Sequence, residues 1–347
     1  VTERRYDPTA QEWITFATHR QNRTYKPEGF CPLCPTLPGE EETEIPYPSF
    51  EVVTFDNLFP SFSPEPPQPA VASTALYPVA SASGRCEVVV YSDDHEASFA
   101  DLSSERVRML VDVWADRYRL LGAEETVDYV LIFENKGETV GTTLSHPHGQ
   151  IYGYPEIPPR PARELTAARQ HYLATGRCVE CDVVATEAAD GRRIVVADGD
   201  WIAWVPFWAR FPYEVHVAPL EHCPDLLGLD GSGRAALARV LATVARTYDR
   251  LWGFSLPYVM AFHQRPTDGL AEWGALSHLH VEFAPPHRAA DRLKYLAGSE
   301  LGGGAFVSDV APEQAAEELR AVLADASDAV QPAPHQPAPH QPAASRR

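Results

Sequence analysis

The sequence predicts an α+β fold in which one strand–helix–strand–loop–strand unit is used twice. The product is a mostly antiparallel sheet, one continuous sheet or half-barrel, with helices packed on one side. Three observations predict it. Val107, Leu110, Val111, Trp114, Tyr118 and Leu121 form an apolar stripe that recurs, offset for offset, as Leu237, Val240, Leu241, Val244, Tyr248 and Leu251. The segments flanking each stripe also match. Both units then end on Ser-His-x-His, at Ser145–His148 and Ser277–His280.

In chain order, Cys86–Tyr91 reads as the strand that enters the first unit, followed by His95. The stripe from Val107 to Leu121 has helical spacing and stops at Gly122. Tyr129–Phe133 is the strand that leaves the helix, and His148–Tyr152 closes the unit. The second pass runs through Tyr213–Ala218, His222, the helix ending near Gly253, Tyr258–Phe262 and His280–Phe283. Such agreement marks an internal duplication, with an N-terminal half over 1–165 and a C-terminal half over 166–325. The stretch 326–347 is different: Gln-Pro-Ala-Pro-His repeats there, and this composition cannot bury enough apolar surface to offset its chain entropy, so a disordered tail is expected. Pro60 to Pro69 reads as a surface loop.

Composition narrows the function. Hydrophobic residues at 44% and charged residues at 22% suit a globular chain. No apolar run of about 18 residues is present, so no membrane partner is expected. Without an apolar leader, the cytoplasm is the expected location. Asp and Glu number 48 against 29 Lys and Arg, a net charge of −19, which repels phosphate backbones and argues against nucleic acid as a partner. The same argument disfavours a non-catalytic zinc-ribbon binding module. An anionic substrate would need cations gathered locally.

Two Cys-x-x-Cys pairs, Cys31/Cys34 and Cys178/Cys181, have metal-ligand spacing. For Cys178/Cys181 the sequence offers no partner pair; His171 and His222 are the nearest spare imidazoles, and two unliganded thiols are expected there. Alternation along a strand would put His146, His148 and Gln150 on one face. Gly149 would let a ligand approach the backbone.

The segment Asn135-Lys136-Gly137, a loop, and then His146-Pro147-His148-Gly149-Gln150-Ile151 resembles the active-site segment of galactose-1-phosphate uridylyltransferases, in the histidine triad superfamily. Phe262-His263-Gln264 with His278-Leu279-His280 resembles that family's second signature. The opening Tyr6-Asp7-Pro8 to Trp13 and the helix Gln314–Arg320 extend the likeness over residues 4–325.

The resemblance implies that His148 is the nucleophile that carries a uridylyl group, with Gln150 bonding the phosphate oxygens. A neutral imidazole is competent for this at pH 7, and splitting the transfer in two is ordinary covalent, ping-pong catalysis. It implies phosphate contacts from Asn135, Thr143, Arg20 and Arg23, and uridine contacts from Leu33, Asp56 and Asn57. Cys31, Cys34, His95 and His146 match the family's zinc site; Glu164, His263, His278 and His280 match its second site, for iron or zinc. The implied partners are a UDP-sugar and a sugar 1-phosphate, and the implied assembly is a homodimer. The activity expected is exchange of UMP between UDP-glucose and galactose 1-phosphate. The alternative is a related nucleotidyltransferase or nucleotide-sugar phosphorylase that uses another base or sugar phosphate.

One segment departs from the pattern. Where many members read Lys-Phe-x-Val-Gly-Tyr-Glu followed by a glutamine, this chain reads Lys294-Tyr295-Leu296-Ala297-Gly298-Ser299-Glu300, with Phe306 near the glutamine position. Lys294 and Glu300 persist as candidates for the sugar site.

Overall fold

A computed structural model describes residues 1–25 and 29–328, the last three by backbone alone. The chain forms β1 (Thr2–Asp7), β2 (Glu12–Ala17), β3 (Val53–Asp56), β4 (Val79–Ser81), β5 (Arg85–Val90), α1 (Ser104–Leu121), β6 (Tyr129–Lys136) and β7 (His148–Tyr154). The second half adds α2 (Pro159–Thr175), α3 (Val179–Asp190), β8 (Ile194–Asp198), β9 (Trp201–Trp204), β10 (Val215–Pro219), α4 (Gly231–Leu251), β11 (Tyr258–His263), α5 (Trp273–Leu276), β12 (His280–Ala284), β13 (His287–Ala289), β14 (Arg292–Leu293) and α6 (Pro312–Asp328). The expected tail thus begins inside α6, and its residues 329–347 lie outside the described residues.

Nine strands make one open antiparallel sheet in the order β3-β5-β7-β6-β11-β12-β10-β9-β8. The two halves meet at β6 and β11. Phe133 faces Gln150 in the first half and Ala261 faces Glu282 in the second, while Phe133 and Ala261 pair with each other. A pseudo-twofold axis therefore passes through the Phe133–Ala261 pair. The similar strings Tyr129–Phe133 and Tyr258–Phe262 mislead here: they suggest Phe133 and Phe262 as equivalents, and the sheet register is one residue out. The true equivalents are Gln150 with Glu282, Asn135 with His263, and His148 with His280.

Both predicted stripes are buried except for the half-buried Leu251 at the end of the second, and α1 packs against α4 on one face of the sheet. Val130, Ile132 and Ile151 point into that core from the first half, with Met260, Phe262, Val281 and Phe283 from the second. Helix α1 opens on Ser103, whose hydroxyl accepts from the Arg106 amide; α4 opens on Asp230, whose carboxylate accepts from the Gly233 amide. The second helix ends near Gly253 at a φ of 73°. Gly122 ends α1 for another reason, since it is not left-handed: a Cβ there would lie 2.5 Å from the Thr267 methyl. Alternation leaves Phe133, Asn135, His148, Gln150, His263, His280 and Glu282 on the opposite face of the sheet. Helix α3 covers part of that face beside β9, where Val184 packs with Ile202, Trp204 and Ala218. A small sheet, β2-β1-β4, carries the N-terminus. Among the described residues, no helix is long and apolar enough to cross a membrane.

Candidate active site

Strand β7 begins at His148, and the turn before it fixes the imidazole. Nδ1 of His148 lies 2.7 Å from the His146 carbonyl oxygen. A carbonyl only accepts, so Nδ1 carries the proton and Nε2 keeps its lone pair. Burial, partly opposed by that hydrogen bond, holds the ring below its ordinary value of 6.5, so it is neutral at pH 7. Two cavities meet at His148, Thr143 and Leu144. The larger, of about 830 Å³, is lined by Asn135, Lys136, Ser98 and the Cys31/Cys34 loop. The smaller, of about 100 Å³, is lined by Arg20, Arg23, Leu33, Asn57 and Gln150.

Most sequence candidates therefore converge on one place. Gln150 is oriented by Asn57, whose Nδ2 donates to Oε1 at 3.3 Å. Arg20 is held by the Phe59 carbonyl at 2.8 Å and the Tyr152 hydroxyl at 3.3 Å. Three candidates lie elsewhere. The Asp56 side chain is 73% exposed, 3.9 Å from Arg85, and is not among the residues lining either cavity. Being the last residue of an edge strand, it points away from the Val88 face. Lys294 and Glu300 bind one another at 3.0 Å, away from His148, and Phe306 packs on Phe211. Gly149 does not face a ligand. It turns to the helix side, where a Cβ would lie 2.1 Å from the Tyr91 hydroxyl.

Cys31, Cys34, His95 and His146 come together with all donor atoms within 4.8 Å of one another. Cys34 Sγ lies 3.3 Å from His95 Nδ1 and 3.5 Å from His146 Nδ1. The edge of a tetrahedron with one thiolate and one imidazole on zinc is about 3.5 Å, from bond lengths of about 2.3 and 2.0 Å. His146 Nε2 donates to the Ser92 carbonyl at 2.7 Å, which turns the Nδ1 lone pair inward. The donor set fits a tetrahedral metal. Burial and the neighbouring Cys31 push the Cys34 thiol up to about 12.

The second expected set does not assemble as predicted. Glu164, on α2, meets His263 at 2.7 Å, and His280 stacks on His263 with centroids 4.9 Å apart. These three donors form one group. His278 is not with them: it precedes β12, its ring turns the other way, and Nδ1 lies 3.4 Å from Cys181 Sγ. The sequence offers no partner pair for Cys178/Cys181, but the fold supplies one in the same place, because Cys178, Cys181, His222 and His278 form a second four-donor cluster. His171 is spent on Asp182, at 2.8 Å.

Sequence reasoning also missed Glu282, Glu214 and His216. His216 lies 2.9 Å from Glu214 and 3.3 Å from Glu282, whose other oxygen is 3.5 Å from His263. Burial opposes ionisation of Glu282, but His263 and His216 outweigh it and hold the carboxyl at about 2. The duplication was the signal that could have found it, since Glu282 stands where Gln150 stands in the first half.

Comparison with known proteins agrees with this architecture. The family model described as "Galactose-1-phosphate uridyl transferase, N-terminal domain" matches residues 1–158, and its C-terminal counterpart matches 164–331. The chain is 38% identical over 321 residues to galactose-1-phosphate uridylyltransferase of Thermotoga maritima, covering 92% of this chain and 98% of that one. The rat enzyme of that name is 31% identical, over 91% of this chain and 86% of its own. A solved structure titled as a uridylyltransferase superposes with a TM-score of 0.83 at 34% identity, over 93% of this chain and 99% of that one. An ADP-glucose phosphorylase from Arabidopsis thaliana, at 21% identity and a TM-score of 0.69 over 92% of this chain and 99% of its own, shares the fold. With this fold, this histidine strand and matches over both halves, the chain belongs to the galactose-1-phosphate uridylyltransferase family.

Proposed function

We propose that this chain is a hexose-1-phosphate uridylyltransferase that carries UMP on Nε2 of His148 from UDP-glucose to galactose 1-phosphate. The observation that carries the reading is the tautomer: Nδ1 is tied to the His146 carbonyl, which leaves the lone pair on Nε2 of a residue that lines both cavities. Nε2 attacks the α-phosphorus. The P–N bond forms, the P–O bond to the β-phosphate breaks, and glucose 1-phosphate leaves as an anion with no proton to collect. The ring becomes cationic while Nδ1–H still donates to the His146 carbonyl, which stabilises that charge. Galactose 1-phosphate then attacks the same phosphorus and returns the lone pair to Nε2. Gln150, Asn135, Thr143, Arg20 and Arg23 supply donors to the phosphate oxygens, and guanidinium is well suited to this in a chain of net charge −19.

Zinc in the Cys31/Cys34/His95/His146 group fits the donor chemistry and would pin the N-terminal loop to the turn before His148. The Glu164/His263/His280 group suits iron or zinc. A homodimer in the cytoplasm completes the reading, with Lys294, Glu300 and the Lys294–Phe306 segment serving sugar recognition across subunits. The test is to incubate the chain with a panel of nucleotide sugars and weigh the intact protein. A UMP adduct is expected on the wild type and absent from His148→Ala with its fold and metal content intact. Normal turnover by that variant would overturn the reading; an adenylyl adduct alone would reassign the base and favour the phosphorylase alternative.

A further inference from the structure

The second four-donor cluster sits at the pseudo-twofold counterpart of the first. In each half a Cys-x-x-Cys pair meets a histidine that follows the entry strand and the first histidine of Ser-His-x-His: Cys31, Cys34, His95 and His146 in one, Cys178, Cys181, His222 and His278 in the other. The distances agree as well. Cys181 Sγ lies 3.3 Å from His222 Nδ1 and 3.4 Å from His278 Nδ1, against 3.3 and 3.5 Å around Cys34. Both values lie near the tetrahedral edge of about 3.5 Å expected on zinc.

The second layer around the cluster is in place too. His278 Nε2 donates to the Pro219 carbonyl at 3.0 Å, and His222 Nε2 donates to the Gly274 carbonyl at 2.8 Å. Each bond fixes the tautomer whose Nδ1 lone pair points into the cluster. The rings stand edge to face with centroids 5.6 Å apart, as His95 and His146 do at 5.4 Å. Cys178 and His278 are buried, and Cys178 is the residue that immediately precedes α3. Three separate segments therefore converge: the start of α3, the loop after β10 and the turn before β12.

We propose that Cys178, Cys181, His222 and His278 bind a second structural zinc ion, which clamps α3 to the turn that positions His280. A soft, tetrahedral divalent cation suits two thiolates and two imidazoles, and zinc meets that description without redox chemistry. His278 is thereby committed to this site and unavailable to the Glu164/His263/His280 group.

The experiment uses the full chain loaded with cobalt(II), whose thiolate charge-transfer absorbance counts Cys-ligated sites. The wild type is expected to show two equivalents of thiolate-bound cobalt. Cys178→Ser/Cys181→Ser should lose half of that absorbance, and Cys31→Ser/Cys34→Ser the other half. Should the first variant not fold, alkylation of the wild type serves: added zinc should protect Cys178 and Cys181 from iodoacetamide, and a chelator should expose them. One equivalent in the wild type, full absorbance in Cys178→Ser/Cys181→Ser, or alkylation indifferent to zinc would overturn the proposal. So would a mass two units lower that localises to a Cys178–Cys181 disulfide in protein purified under reduction.

Discussion

Gln150 and His148 share a strand face, yet their orientations have different origins. The His148 ring is set by its own chain, two residues back, whereas the Gln150 amide is set by Asn57 from the loop after β3. With its oxygen occupied by Asn57, Gln150 presents its NH2 to the cavity, the polarity that an anionic phosphate needs. Asn57→Ala removes that constraint and lets the amide flip. The rate of nucleotidyl adduct formation should fall about threefold to tenfold, the worth of one ordinary hydrogen bond, with zinc content unchanged. A rate equal to wild type in stopped-flow quench would show that Gln150 is oriented by other means.

Strand β6 also carries a buried acid, Glu134, at the edge of the larger cavity. Glu134 points to the helix side beside Tyr91, with Lys136 and Asp249 nearby, and burial, the largest influence, pushes its carboxyl up to about 8. The folded chain thus keeps a proton that the unfolded chain releases at the ordinary value of 4.5. Stability from this residue is complete below that value and is lost as pH rises through about 8. Relative to Glu134→Gln, the wild type should lose on the order of a few kcal/mol between pH 5 and pH 8; denaturant melts across that range would expose a flat difference if the carboxyl were ionised throughout. The two stripe helices and the strands flanking them were legible in the sequence because a 3.6-residue or 2-residue period is a local property: Val107 to Leu121 states its own buried face. What failed was not local. The family resemblance implied His278 beside His280, but β12 starts only at His280, and the turn before it sends the His278 ring to Cys181 instead. Glu282 and the His222 contact depend on which strand lies alongside. For Asn135 and His263 it depended on a register that the likeness of Tyr129–Phe133 to Tyr258–Phe262 sets one residue out, whereas Ser-His-x-His already aligns Gln150 with Glu282.

At the scale of the whole molecule, the two halves share one core. Trp114 of α1 is fully buried and stands 5.0 Å, centroid to centroid, from Phe262 of β11, with Tyr91 and Phe99 on its other sides. The seam between β6 and β11 is continuous backbone pairing over Phe133–Lys136. The chain should therefore unfold in one transition. Trp114→Ala should cost about 3–5 kcal/mol, the range for emptying a large aromatic site, and should lower the melting of both halves together. Calorimetry resolving two transitions, only one of them shifted, would mean that the halves are thermally independent.

The register equivalences have a consequence for how a duplicated machine divides its labour. Position for position, the neutral amides Gln150 and Asn135 of the first half are replaced by the carboxylate of Glu282 and the imidazole of His263 in the second. His280 keeps the geometry of His148, down to an Nδ1–H that donates to the preceding histidine's carbonyl at 2.9 Å. One scaffold thus carries opposite appetites on one sheet face: the first copy offers amide donors, suited to an anion, and the second a buried carboxylate and imidazoles, suited to a cation. Two side chains therefore reverse the polarity that the strand pair presents, and the buried Glu282 takes a cation of its own from Arg160.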